Sequence, residues 1–410
     1  MNSRLQINPS RLLQRLEQLA QKGAQENGGV SRLALSDADK DGRDLFVTWL
    51  KELGLIVQVD QVGNIFGLRP GQENLPPVMF GSHLDTVRNG GRYDGAYGVL
   101  AALEVLQTLI EHEIQTRRPL VAVAFTNEEG ARYVPDMLGS LAFVGDLSVE
   151  EAWAAKGFDG TQFGVELQRI GYAGSLSPGA LCPHAYVELH VEQGPVLEQE
   201  GLTIGVVEHV TGIDWLEVTI CGAANHAGTT PTELRRDAGL AAAKIIQYLR
   251  QIALDLGGNQ RATCGILHFE PEIINVIPGK ATLTVDLRNT EAEALQEAER
   301  RLRAFADRLM QDDHVEIEIR QLAYTRPESF APQVTEVIAW SAQAMGYSYR
   351  HMVSGAGHDA QIMARKYPTA MIFIPSRDGV SHSPQEYSSP EDIEAGANVL
   401  LHTVLKLAEQ

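Results

Sequence analysis

Cysteine is scarce in this chain: Cys182, Cys221 and Cys264 stand far apart in 410 residues and form no CxxC pair. That excludes a disulfide framework and a thiolate metal site, and all three are expected to be small buried hydrophobes in a reducing cytoplasm. Basic charge is also short, 34 Lys and Arg against 53 Asp and Glu, a net of −19. A surface of that sign repels nucleic acid phosphates and anionic lipid, so neither is an expected partner. No uninterrupted apolar run approaches the roughly 20 residues of a membrane span. The opening residues, Met1-Asn2-Ser3-Arg4-Leu5-Gln6-Ile7-Asn8, lack the apolar core of a secretory signal. A cytoplasmic protein without a membrane partner is the expectation. Internal repeats, low-complexity segments and a GxSxG nucleophile elbow are missing as well.

What is present is enough chain for two cores. Apolar residues recur at helical spacing from Pro9 to about Lys22 and from Ser36 to about Leu53. Short apolar runs follow at 55–59, 63–68, 78–80 and 120–125, with a helical stretch from Gly98 to Glu113 between the last two. Runs at 185–190 and 371–374 and a closing helix from Pro390 to Glu409 continue this grammar, which is that of a doubly wound, mostly parallel α/β sheet. The stretch from about Ile213 to Leu322 reads differently. An alternating run at 215–221, a helix from Glu233 to Leu256, extended segments at 263–270 and 281–288, a helix at 290–310 and a last run at 315–321 spell β-α-β-β-α-β, a ferredoxin-like unit. The expected organisation is one domain of residues 1–212 and 328–410, interrupted by a second at 213–327.

Four constellations carry chemistry. In Gly81-Ser82-His83-Leu84-Asp85-Thr86, His83 closes an apolar run, and the carboxyl end of a parallel strand faces the crevice where ligands bind. Asp94 follows in the glycine-rich Gly90-Gly91-Arg92-Tyr93-Asp94-Gly95, where a carboxylate can reach inward and bridge cations. Asp85 is placed to orient the His83 imidazole. In Thr126-Asn127-Glu128-Glu129-Gly130, adjacent carboxylates at a strand mouth repel unless cations offset them, and one can ligate while the other moves protons. In Tyr186-Val187-Glu188-Leu189-His190-Val191-Glu192, a period of two sets Glu188, His190 and Glu192 on one face. The fourth is His382 in Gly379-Val380-Ser381-His382-Ser383-Pro384. An isolated histidine is more often a hydrogen-bonded core residue, and a lone acidic pair an ordinary solvated turn. Three histidines with carboxylates at strand ends of one sheet instead make a coherent nitrogen and oxygen site for borderline metals.

The segments GSHLDT, GGRYDG, TNEEGAR, VELHVEQGPVLE, NHAGTTP, NVIPG, VDLRN, SGAGHDAQ and DGVSHSP, spread from residue 81 to residue 384, resemble the M20-type metallopeptidases, specifically their hydantoinase/carbamoylase branch. The resemblance implies a hydrolase with two divalent metals per subunit, zinc first and manganese, cobalt or nickel as alternatives. It makes Asp94 the bridge, pairs His83 with His190 and Glu129 with His382, and makes Glu128 the general base. Peptidases of the family usually carry a carboxylate where this chain has His190, so the resemblance favours ureido substrates, N-carbamoyl-L-amino acids ahead of allantoate, 3-ureidopropionate or dipeptides. It further implies that the inserted domain is a lid and homodimer interface whose His226 stabilises an oxyanion in the partner's site. Asn275 and Arg288 would clamp the substrate carboxylate, and Gln193 and Gly357 would touch substrate. Arg288 shares a strand face with Thr284 and Asp286, and its fork suits a carboxylate, although an arginine there is more commonly plain surface. His358-Asp359 could equally be a structural helix start.

Overall fold

A computed structural model describes residues 5–410. The chain divides into two compact units, one running up to Glu208 and resuming at Ser329, the other spanning His209–Glu328. No helix among the described residues is long and apolar enough to cross a membrane.

The first unit is built on a nine-stranded sheet. At its centre Leu120–Phe125, Val78–His83, Ala185–Val191 and Thr369–Ile374 lie side by side, all parallel. Every residue of these four strands is buried. Parallel strands covered on both faces are near-continuous in apolar residues for that reason, and a polar side chain can enter only near their ends. Antiparallel strands flank this centre: Ile65–Arg69 and Ile56–Val59 beyond Leu120–Phe125, and Ile204–Val210 beyond Thr369–Ile374. Helix Ala96–Glu111 is buried on nearly every side, which its sequence AYGVLAALEVLQTLIE permits because only Glu104 and Glu111 are charged. Glu104 is completely buried and accepts two bonds from Arg11, at 2.6 and 2.7 Å. Helix Pro390–Ala408 is capped by the Ser389 hydroxyl on the amide of Asp392. The stretch from 126 to 184, which shows no clear period, folds as three short helices, Leu138–Val144, Val149–Ala154 and Phe163–Arg169.

The second unit pairs Lys280–Asn289 and Glu316–Thr325 with Gly212–Cys221, all antiparallel, and places Leu267–Glu270 and Arg261–Thr263 along the far side of Lys280–Asn289. This strand order is the ferredoxin-like one. One face buries Leu216, Val218, Ile220, Leu283 and Val285 against Ile245, Leu249, Leu295 and Leu302 of two helices. Each such side chain contributes about 1.5–3 kcal/mol on leaving water. Two details differ from expectation. The first long helix begins at Ala238, not Glu233, because the Asp237 carboxylate caps it by accepting the amides of Gly239 and Leu240. The extended stretch 263–270 is broken in two, the gap held by Thr284, whose amide donates to the Ile266 carbonyl and whose hydroxyl accepts the Ile266 amide.

The cysteines are a correction. Cys182 and Cys221 are exposed and Cys264 is half-buried. Cys182 lies in a loop before a strand, Cys221 points to the face of its sheet away from the helices, and Cys264 occupies the strand break. Cys182 and Cys221 therefore lie outside both cores, and Cys264 only packs, partly buried, against the edge of the second unit's core.

Candidate functional site

At the carboxyl ends of the central strands six ionisable side chains converge. His83 is the last and His190 the penultimate residue of two buried strands, Asp94 precedes helix Ala96–Glu111, and Glu128 and Glu129 follow Leu120–Phe125. His382 comes from the loop after Thr369–Ile374. Asp94 is the hub. Its Oδ1 lies 3.0 Å from His190 Nε2 and 3.6 Å from His83 Nε2, whereas its Oδ2 lies 3.2 Å from His382 Nε2. His382 Nε2 is in turn 3.5 Å from Glu129 Oε2, and His83 Nε2 is 3.4 Å from Glu128 Oε2. Two donor sets therefore share one carboxylate, His83–Asp94–His190 and Asp94–Glu129–His382.

The imidazoles are oriented by main chain. His83 Nδ1 sits 2.9 Å from the Asp85 carbonyl and His190 Nδ1 2.9 Å from the Val191 carbonyl. A ring whose Nδ1–H donates to a carbonyl keeps an Nε2 lone pair, the arrangement a metal-ligating histidine uses. Here Asp85 departs from expectation. Its carbonyl, not its carboxylate, faces His83, because the carboxylate is turned away to accept the amides of Glu128 and Glu129, each at 3.3 Å. Asp85 thus fixes the turn that presents both glutamates.

Charge in this pocket is unbalanced without cations. Burial pushes Glu128 well above the usual carboxylate range, with His83 opposing and Glu129 adding to the rise. Burial and the Asp94 charge bring Glu129 to about 8. Burial alone would raise Asp94 too, but bonds from His190, His382 and His83 outweigh it and hold Asp94 well below its ordinary value. The bond to Asp94 raises His382 to about 9. Ligating imidazoles and carboxylates must give up their protons, so cation binding at this cluster would oppose these shifts. The donor chemistry, nitrogen and oxygen in two sets with a shared carboxylate and no sulfur, fits two divalent ions of the zinc, manganese, cobalt or nickel kind.

Gly95 shows how tightly the pieces fit. It adopts φ 62°, and a Cβ there would lie 2.3 Å from His83 Cε1. Four of the nine described non-glycine residues with left-handed backbone, Asn127, Met137, Gln193 and His382, also belong to this neighbourhood. Such conformations cost of order 1–3 kcal/mol each and persist where surroundings enforce them.

The other residues singled out in the sequence are distributed as follows. Gln193 lies inside the cluster, its Nε2 donating to Asp94 Oδ2 at 2.9 Å and to Ser381 Oγ at 3.1 Å, while its buried Oε1 has no partner. Gly357 lies where a Cβ would meet Met137 Cε at 3.1 Å. His358 is buried, its Nε2 2.9 Å from Ser354 Oγ and its ring edge-on to His190 at 4.6 Å. His226, Asn275 and Arg288 belong to the second unit. Exposed His226 pairs with Val276 in a two-residue ladder, and the Ala227 amide donates to the Asn275 carbonyl, so His226 and Asn275 are neighbours. The Arg288 guanidinium rests on Asp286, with Nε and Nη2 each 3.0 Å from a carboxylate oxygen. Sequence reasoning missed Glu386, a buried acid four residues past His382 that accepts the amides of Tyr93 and Asp94. Its only sequence signal was a carboxylate close behind a candidate ligand.

Comparison with known proteins adds the following. A profile of peptidase family M20/M25/M40 matches residues 79–406. An N-carbamoyl-L-amino-acid amidohydrolase of Rhizobium meliloti is 42% identical over 404 residues, covering 98% of this chain and 97% of that protein. An allantoate amidohydrolase of Bacillus subtilis is 36% identical, with 96% of each chain covered. The crystal structure of an amidase of the hydantoinase/carbamoylase family from Burkholderia multivorans superposes with a TM-score of 0.97 at 44% identity, covering 99% of both chains.

Proposed function

The chain belongs to the M20/M25/M40 peptidase family, in its hydantoinase/carbamoylase amidase branch, and on that footing we propose that it hydrolyses the ureido C–N bond of N-carbamoyl-L-amino acids. The products are the L-amino acid, carbon dioxide and ammonia. The observation that carries this reading is the division of Asp94, one oxygen toward His83 and His190 and the other toward His382. Identity to carbamoyl amino acid amidohydrolases along the whole chain supports the substrate class, and His190 in place of a carboxylate argues against peptides.

His83, His190 and Asp94 would hold one divalent cation, zinc first among the candidates, and Glu129, His382 and Asp94 would hold the second. Cations bound there would supply Lewis acidity, of the kind that lowers the pKa of water from about 15.7 toward 7 and polarises a carbonyl oxygen. Glu128 takes the proton of the attacking water and returns it to the leaving nitrogen, with Asp85 keeping its turn in place. His226, reaching the partner subunit's site, donates to the oxyanion that develops on the carbamoyl oxygen as water adds to the carbon. Asn275 and Arg288 bind the substrate carboxylate, Gln193 keeps its unpartnered amide oxygen for a substrate N–H, and Gly357, against Met137, leaves room for substrate. No covalent intermediate is required. The 209–328 unit is also the homodimer interface in this reading, supported by the exposure of Ile273 and Ile274 beside Asn275; light scattering that gives a monomer mass would refute it. Three free cysteines suit the reducing cytoplasm.

A substrate panel on metal-reconstituted protein tests the reading: N-carbamoyl-L- and D-amino acids, allantoate, 3-ureidopropionate and dipeptides. Turnover restricted to the L-carbamoyl compounds is expected. A preference for allantoate, the named substrate of the 36% identical relative, would replace the substrate and leave the chemistry. Arg288→Ala is expected to lower kcat/KM for carboxylate-bearing substrates about 10–100-fold, the worth of a charge-assisted bond of roughly 1.5–3 kcal/mol. Its metal content should stay at the wild-type level, and an unchanged kcat/KM would remove Arg288 from the clamp.

A further inference from the structure

Glu386 is nine-tenths buried or better, at 5% exposure, and nothing in the chemistry above uses it. Its carboxylate ties together two loops that arrive from opposite ends of the chain. Oε1 accepts the Tyr93 amide at 2.9 Å and the Asp94 amide at 3.1 Å. Oε2 lies 3.1 Å from Ser381 Oγ, the residue before His382, and that same hydroxyl is 3.3 Å from Asp94 Oδ2. The Glu386 amide donates to the Ser383 carbonyl at 3.0 Å, closing the His382 loop on itself. The Gly91 backbone passes so near that a Cβ there would sit 2.1 Å from Glu386 Oε1 and 2.6 Å from its Cβ. The loop bearing Asp94 is therefore moulded around this one acid, and any side chain at position 91 would push the acid out.

We propose that Glu386 is a positioning residue that sets Asp94 and His382 at their common distance, and so governs the affinity of the cation held by Asp94, Glu129 and His382 more than that of its neighbour. Two of the three donors in that set hang on Glu386, directly through the Asp94 amide and through Ser381 for His382. Only one of the three donors in the His83–Asp94–His190 set does. Side chains that orient ligands from behind are typically worth about 10–100-fold in metal affinity, and a clamp on two ligands concentrates that effect on one ion.

The inference rests on the two-cation reading above, and the test separates the two. Metal-stripped full-length protein is titrated with zinc against a chromophoric chelator, resolving two binding steps, with His382→Ala marking which step belongs to the His382 side. Glu386→Ala is expected to weaken that same step about 10–100-fold and the other step much less. Glu386→Gln should restore affinity, because its amide oxygen still accepts the Tyr93 and Asp94 amides. The metal-free Glu386→Gln protein should melt with wild type, and metal-free Glu386→Ala somewhat lower because the Tyr93 and Asp94 amides lose their acceptor. Equal weakening of both steps, or none, overturns the inference while leaving the two-cation reading intact. Wild-type protein that binds fewer than two zinc ions overturns both. Should Glu386→Ala fail to fold, Ser381→Ala and Gly91→Ala carry the test, and unchanged affinity in both overturns it.

Discussion

Asp94→Ala is expected to cost the protein both cations at once and to bring turnover on a carbamoyl amino acid down by about 10³-fold or more. The magnitude follows from charge stabilisation worth several kcal/mol, each 1.36 kcal/mol or so being tenfold in rate. The breadth of the loss follows from geometry, since Asp94 offers a separate oxygen to each donor set. Replacing any histidine removes one donor from one set, and only Asp94 belongs to both. Elemental analysis, turnover and calorimetric melting would be read together. Added zinc should raise the melting temperature of chelator-stripped wild-type protein, because a ligand at 1,000 times its Kd stabilises by about 4.1 kcal/mol, and should leave the variant unmoved. A variant that still holds two cations would show that Asp94 is not the bridge.

Glu128→Gln is expected to lower kcat about 10²–10⁴-fold, the span of a lost general acid–base, with both cations retained and KM little changed. The substitution is isosteric and the backbone of residue 128 is held independently of its side chain, its amide by Asp85 and its carbonyl by the Met137 amide. Metal content distinguishes the roles available to this carboxylate. Glu128 lies close enough to His83 and Glu129 to complete a third donor group, so loss of a cation from the glutamine variant would make it a ligand and transfer the proton chemistry elsewhere. Retention of both cations with full activity would remove it from the mechanism.

The convergence of His83, Asp94, Glu129, His190 and His382 was legible in the sequence because buried parallel strands are monotonous. In VMFGSH and AYVELHV a charged or ligating residue interrupts an apolar run, the Glu128–Glu129 pair follows closely on the wholly apolar LVAVAF, and the ends of such strands meet at one edge of the sheet. The alternation of Lys280–Asn289 was equally plain, buried and open residues taking turns along all ten positions. What escaped depends on how loops turn. The direction of the Asp85 carboxylate is decided by the Glu128–Glu129 amides, forty-odd residues away in sequence, and no spacing encodes it. Glu386 reads as one more surface acid until Gly91 is seen to press on it. The start of the helix at Ala238 was obscured by Glu233 and Leu234, which continue a helical pattern through a 3-10 turn before Asp237 caps the true one. Cysteine composition gave the wrong side of the surface for Cys182 and Cys221, one in a loop and one on the strand face turned from the helices, whereas Cys264 packs partly buried against a core.

The first unit is discontinuous, with His83, Asp94, Glu129 and His190 ahead of the insertion and His382 behind it. During synthesis the ribosome releases the donors in that order, and 382 − 190 = 192 residues separate the last two. At about 5–20 residues per second, His382 follows His190 by roughly 10–40 s, time enough for the 209–328 unit to fold as a block on the nascent chain. The half-made pocket then carries Asp94, Glu128 and Glu129 without their final partner or the Glu386 clamp. Completion of the Asp94–Glu129–His382 set is thereby a late step in the birth of the enzyme, and a polypeptide stalled before Ser381 should emerge with only the His83–Asp94–His190 donors in hand.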